Sequence, residues 1–162
     1  MKNDNRGLSL VEIIIVITIM SVLTAVGIIG FGMISGKPAE QCAENIKVSL
    51  LNNRTTALGK FKSDVVITDS GSGIQLTENI ANKDGTTSSK TQKIGDSDVL
   101  VEYSTDASTY TPLSSLTISF DRATGAIKHP GGDTDLYIKC SRAGKSYVVQ
   151  VYHLTGKVVI LD

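Results

Sequence analysis

The order of its sequence patterns predicts an α+β fold for this chain, one long N-terminal helix followed by an antiparallel β-sheet. Three observations carry that expectation. An apolar run reaches from Leu8 to about Ile34, and a weaker apolar stripe at helical spacing continues to Gly59. From Lys62 onward the period changes to two, with short apolar runs separated by glycine-bearing turns. Strands segregated after a helix, rather than alternating with helices, mark the α+β arrangement.

The first element is too long for a secretory signal peptide. Residues 8–34 make a run of about 27, near 40 Å of helix at 1.5 Å per residue, against an h-region of about 7–15. That length exceeds the ~30 Å hydrocarbon core of a bilayer, so the segment is expected to span a membrane. A plain anchor gives no reason for Glu12 inside it. A carboxylate at that depth costs roughly 2.5–3.5 kcal/mol even on lenient insertion scales, which makes it a functional-site hypothesis. If the chain is cut after Gly7, Leu8 gains a free amine and stands four residues before Glu12. Residues at i and i+4 share a helix face, and an acid in the first turn complements the helix dipole. Glu12 could neutralise its own terminal amine or that of an adjacent copy. The second option sets an assembly register, because the wrong stagger leaves both charges unpaired.

This constellation resembles the prepilin signature of type IV pilins and the related pseudopilins. That signature is a short basic leader ending in Gly, an apolar first mature residue and Glu at the fifth mature position. Here Lys2 and Arg6 supply the basic leader, and Gly7, Leu8 and Glu12 fill the other places. Leu8 departs from the commoner Phe. The resemblance implies cleavage after Gly7 and methylation of the Leu8 amine by a prepilin peptidase. It also implies a pilin-like fold, with the sheet packed on the outer half of the helix. The implied partners are other pilin or pseudopilin subunits through the N-terminal helix, an inner-membrane assembly platform, and the membrane itself before assembly.

Positive charge before the apolar run and a larger domain after it orient the chain. Lys2 and Arg6 are expected to stay cytoplasmic, with everything after Lys37 outside. The expected location is a single pass in the cytoplasmic membrane, N-terminus inside, and then an extracellular filament or pseudopilus. Acids and bases balance at 16 each, and removing residues 1–7 leaves fourteen bases and fifteen acids. No global field therefore steers the chain toward nucleic acid. With no Trp, a stacking platform for single strands is poorly supplied too.

The expected organisation is a leader over 1–7, a membrane and filament-core helix over 8–34, an amphipathic outer half over 35–60 and an extracytoplasmic sheet domain over 61–162. Gly36-Lys37-Pro38 marks a weak point, because a proline inside a helix loses a ladder bond and clashes with the preceding turn. Beyond it Ala43, Ile46, Leu50, Leu51 and Leu58 form the stripe expected to cover the sheet. Glycines 27, 30, 32 and 36 suit close helix packing or are ordinary membrane-helix glycines; both readings stand. Val65–Ile67 and Val99–Tyr103 read as strands, and Leu116–Phe120 pairs with Ala126–Lys128 as a hairpin. Leu136–Cys140, Tyr147–Tyr152 and Val158–Leu161 read as a closing meander. Residues 77–98, rich in Thr, Ser, Lys and Asp, are expected to form a long surface loop.

The tail is similar to minor pseudopilins of the GspH and FimT type. The matching elements are Phe120-Asp121 with Gly125, then Gly144 to Val151, then Gly156-Lys157-Val158. The polar stretch Asn52–Ala57 stands where that group ends its helix. This implies a minor rather than a major subunit. Cys42 and Cys140 both fall in the exported part, where compartment favours a disulfide. It would close a loop of roughly 100 residues, worth up to about 4.7 kcal/mol by loop-closure entropy. Two buried free thiols are the other reading, since spacing alone carries no geometry.

No catalytic constellation stands out, and neither an enzyme, a cofactor nor a metal centre is expected. His129 and His153 sit away from any Cys or acid in ligand spacing. Asp96/Asp98 and Asp133/Asp135 alternate but lack a full calcium loop. The competing reading is a binding module, a competence pseudopilin or filament-tip subunit holding DNA or a surface ligand. Its only basic points would be Lys83, Lys90, Lys93, Arg142 and Lys145, interleaved with acids. Sequence does not separate adhesion or motility pili, protein secretion and DNA uptake.

Overall fold

The computed structural model describes residues 10–161 except 60, 83 and 131, with side chains omitted at 25–35 and 129. The chain divides between Ser35 and Gly36 into two compact units. The first contains α1, Leu10–Ser35. Its Ile, Val and Thr residues are middling helix formers in water. Its three described hydroxyls are satisfied within the helix. Thr18 donates to the Ile14 carbonyl at 2.7 Å, Ser21 to Thr18 at 2.8 Å and Thr24 to Met20 at 2.7 Å. Such back-bonding removes the cost of placing a hydroxyl where no water reaches it.

The second unit opens with α2, Lys37–Leu58, after Gly36. The helix is interrupted at the weak point expected around Gly36-Lys37-Pro38, and Pro38 occupies the first turn of α2. A missing N–H costs nothing there, and the fixed φ suits the start of a helix. The Gly36 carbonyl accepts from the amides of Ala39 and Glu40, at 3.1 and 3.2 Å. Ala39, Cys42, Ala43, Ile46, Leu50 and Ala57 are buried, with Ser49 and Asn53 among them. The stripe thus runs closer to small residues than expected, and Leu51 and Leu58 stay 37% and 40% exposed. Each is one position past a buried residue, which turns it about 100° away on a helix of 3.6 residues per turn.

The β portion is antiparallel, as expected, but forms two five-stranded sheets rather than one. The first contains β1 (Ser63–Asp69), β2 (Gly73–Ala81), β3 (Thr87–Asp96), β6 (Ser115–Phe120) and β7 (Ile127–His129), in the order β3-β2-β1-β6-β7. The second contains β4 (Leu100–Ser104), β5 (Thr111–Pro112), β8 (Leu136–Arg142), β9 (Lys145–Val151) and β10 (Val158–Leu161), in the order β10-β9-β8-β4-β5. The central strands β1 and β8 alternate buried and half-buried positions, so Val65, Ile67, Leu136, Ile138 and Cys140 face inward. Helix α2 packs on strands of both sheets, and a single apolar cluster joins all three layers.

The stretch 77–98 is corrected from a loop to a hairpin. Strands β2 and β3 pair from Gly73↔Asp96 to Ala81↔Thr87, with an irregularity between Ile74 and Gln75. β3 lies at the sheet edge and is exposed along its first five residues, so no apolar alternation marks it. Polar pairs hold it instead. Thr77 and Thr91 hydroxyls meet at 2.9 Å, and Ser89 donates to Asn79 at 2.7 Å. Asn79 in turn donates to Asp64 of β1 at 2.8 Å. Cross-strand hydroxyl and amide pairs of this kind are a unit of sheet stability.

Candidate functional site

Gly7 and Leu8, the expected processing pair, lie outside the described residues. Glu12 stands in the first turn of α1 and is exposed. Every described side chain from Leu10 to Thr24 is exposed as well, from Ile13 at 46% to Leu10 at 74% among the large apolar ones. A helix apolar on all sides requires cover from lipid or from other apolar helices. Among the described residues no helix is long and apolar enough to cross a membrane. The apolar sequence itself continues to Ile34.

Two of the five candidate basic points, Lys93 and Arg142, are paired with acids within the chain. Lys93 pairs with Asp96 at 2.8 Å, and Arg142 pairs with Asp98. The Lys145 stem lies against Gly36, where an added Cβ would come within 2.5 Å of its Cδ. Lys139 bonds Glu102 at 3.2 Å and sits 5.0 Å from the Tyr110 ring centre. Lys90 is exposed, and Lys83 lies outside the described residues. A cation already facing a carboxylate gains little from a phosphate.

The alternating acids are also engaged. Asp135 accepts from Gln150 Nε2 and from the His153 amide, each at 2.8 Å. Asp133 lies 3.7 Å from His153 Nε2. His129, read as a turn residue, ends β7. Among the described residues no three His, Cys, Asp or Glu side chains gather as metal ligands. An open cleft of about 700 Å³ between the start of α2 and the end of β3 is lined by Glu40, Glu44 and the Lys93–Asp96 pair, without hydroxyl, thiol or imidazole.

Sequence reasoning missed Arg54. Its Nε donates to the Thr155 carbonyl at 3.0 Å and to the Gly125 carbonyl at 3.3 Å. It thereby clasps two turns at the end of α2. Both Gly125 and Gly156 have positive φ, and a Cβ on Gly156 would stand 1.9 Å from the Gly125 carbonyl oxygen. No residue but glycine fits that approach. Asp121 shapes the first of these turns by accepting from the Ala123 and Thr124 amides, both at 2.9 Å. Those bonds, Ala123 first, hold its carboxyl below the ordinary range. The polar stretch 52–57 was the signal available, but only its partners 71 and 101 residues away reveal the role.

Cys42 on α2 and Cys140 on β8 are both fully buried, with their Sγ atoms 3.7 Å apart. The fold therefore brings together the two cysteines singled out in the sequence.

Residues 2–34 match the prokaryotic N-terminal methylation motif. No curated protein matches the chain. Among solved structures it is similar to the type IV minor pilin FimU of Pseudomonas aeruginosa in two crystal forms. One shares 12% identity at a TM-score of 0.48, over 76% of this chain and 92% of that one. The other shares 13% at 0.48, over 76% and 87%. The chain thus carries, over residues 2–34, the N-terminal methylation motif of prokaryotic prepilins.

Proposed function

We propose that this chain is a type IV pilin-like structural subunit, cleaved after Gly7, N-methylated on Leu8 and assembled into a surface filament or secretion pseudopilus, most simply as a minor subunit. One observation carries the reading. A methylation motif over residues 2–34 coincides with a helix whose apolar faces are uncovered and whose first turn holds Glu12. In this mechanism the helix rests in the membrane until an assembly platform extracts it. Helices then bundle as the filament core, each covering the apolar surface of the next. Glu12 meets the N-terminal amine of a neighbouring subunit and selects the stagger at which both charges are paired. The outer unit, with its polar β3 edge, faces solvent.

The test is Glu12→Ala in the producing cell, read by intact mass in membrane and sheared surface fractions. The expected result is normal cleavage to N-methylated Leu8 with loss of the subunit from the surface fraction. Normal abundance of the variant in filaments would sink the role of Glu12. A native chain retaining Met1 would sink the processing reading altogether.

A further inference from the structure

We propose that Cys42 and Cys140 form a disulfide in the mature protein, stapling α2 to the central strand of the second sheet. The inference goes beyond filament assembly and rests only on the extracytoplasmic placement proposed above. The two thiols are 98 residues apart in sequence, fully buried and facing each other at 3.7 Å. A disulfide needs sulfurs about 2.03–2.05 Å apart, a closure within reach of side-chain rotation when the two elements already pack together. A shared soft metal ion is a poorer explanation. Two thiols alone leave half of a tetrahedral site unfilled, and no third ligand group gathers among the described residues.

Position explains why this pairing would matter. α2 lies on both sheets, but its N-terminal half is where the chain passes from one unit to the other. Cys42 is in that half, and Arg54 clasps the other end. The helix would thus be tied at two points, covalently near its start and by hydrogen bonds near its end. A subunit drawn into a filament by its first helix transmits that pull into α2 close to Cys42.

Burial also dictates when the bond forms. Cys140 is held as a thiol, its pKa pushed well up by its bond to Cys42 and by burial. Thiolate is the attacking species, so the closed fold is slow to react. Oxidation therefore precedes final docking of α2. One thiolate attacks the disulfide of an extracytoplasmic thiol–disulfide oxidoreductase and releases one of its thiols. The second then displaces the donor from the mixed disulfide. The protein loses two protons and two electrons, and the donor leaves as a dithiol.

The test uses full-length protein from the producing cell, blocked with N-ethylmaleimide before and after denaturation. The expected result is no alkylation and an intact mass lighter by two hydrogens, with both labels appearing only after reduction. Reductant should lower the melting temperature of the wild type by about 10 °C. It should leave that of Cys42→Ala, Cys140→Ala and the double variant unchanged, whatever packing loss each carries. Two alkylated cysteines in the native protein would overturn the inference. If a portion of that protein left unblocked bonds on refolding in oxidised glutathione, the failure lies in the proposed placement; if it does not, the pairing itself is wrong.

Discussion

The two helices treat the same kind of side chain in opposite ways. Along α1 the described leucines, isoleucines and valines are exposed on every face, Leu23 at 66% and Ile17 at 61%. Along α2 one stripe disappears into a core made with two sheets, and Ile46 and Leu50 have no exposed surface. The difference teaches which unit is finished. Gly36–Asp162 buries an apolar core within the chain and leaves only scattered apolar side chains such as Leu100 and Leu154 exposed, whereas every described large apolar side chain of α1 is exposed. A subunit that polymerises through one helix needs this division, because a core that depended on the filament would unfold whenever the subunit left it.

The sharpest way to break the comparison is to cut the same side chain in each helix. Ile46→Ala should lower unfolding stability by about 2–5 kcal/mol, since it leaves a cavity under α2. Ile17→Ala should change the unfolding stability of Gly36–Asp162 by less than about 0.5 kcal/mol, because Ile17 is 61% exposed. Denaturant titration of the full chain in detergent, read by circular dichroism, measures both. Equal losses would show that α1 shares a core with the outer unit.

A second, smaller effect sharpens how the outer unit closes on itself. Gly156→Ala combines a positive φ of 61° with a Cβ driven onto the Gly125 carbonyl. It should cost about 2–4 kcal/mol and expose the end of α2 to amide exchange. Unchanged protection around Arg54 would show that the clasp is incidental.

The smallest effect is expected in acid. Asp106 is held well below the ordinary carboxylate range, first by the Ser104 hydroxyl and then by the Thr109 and Ser108 amides. Asp121 is lowered in the same way by its own turn. A depressed folded pKa adds stability that is present above the unfolded value, about 4, and lost as pH falls through the folded one. The outer unit should therefore soften only below about pH 4. Asp106 is exposed and Asp121 half-buried at the surface, so solvent screens the gain. Asp121→Asn should flatten part of that slope in pH-dependent thermal melts. An unchanged slope would remove this turn from the account.

Much of this was legible from residue order. The glycine, the apolar residue and the acid at 7, 8 and 12 are a local pattern, as are the periods that mark α2, β1, β6 and β8 to β10. One local signal misled. The polar composition of 77–98 hid β3, because an edge strand needs no apolar face and is held by Thr77–Thr91 and its ladder. The weak point expected at Gly36-Lys37-Pro38 is where α1 ends and α2 begins, with Pro38 in the first turn of α2.

By itself, then, the sequence determined what most segments are, the hairpin of β2 and β3 excepted. A methylation motif, an apolar helix, an amphipathic helix and a set of strands follow from spacings of a few residues, where covalent geometry leaves a short menu of structures. Only the tertiary structure decided which distant parts meet. It divided the strands between two sheets, gave Arg54 the turns of Gly125 and Gly156 to hold, and set Cys42 3.7 Å from Cys140. Contacts across 71, 101 and 98 residues close large loops at an entropic cost. They persist only because the whole core forms at once, and no short window of the chain records them.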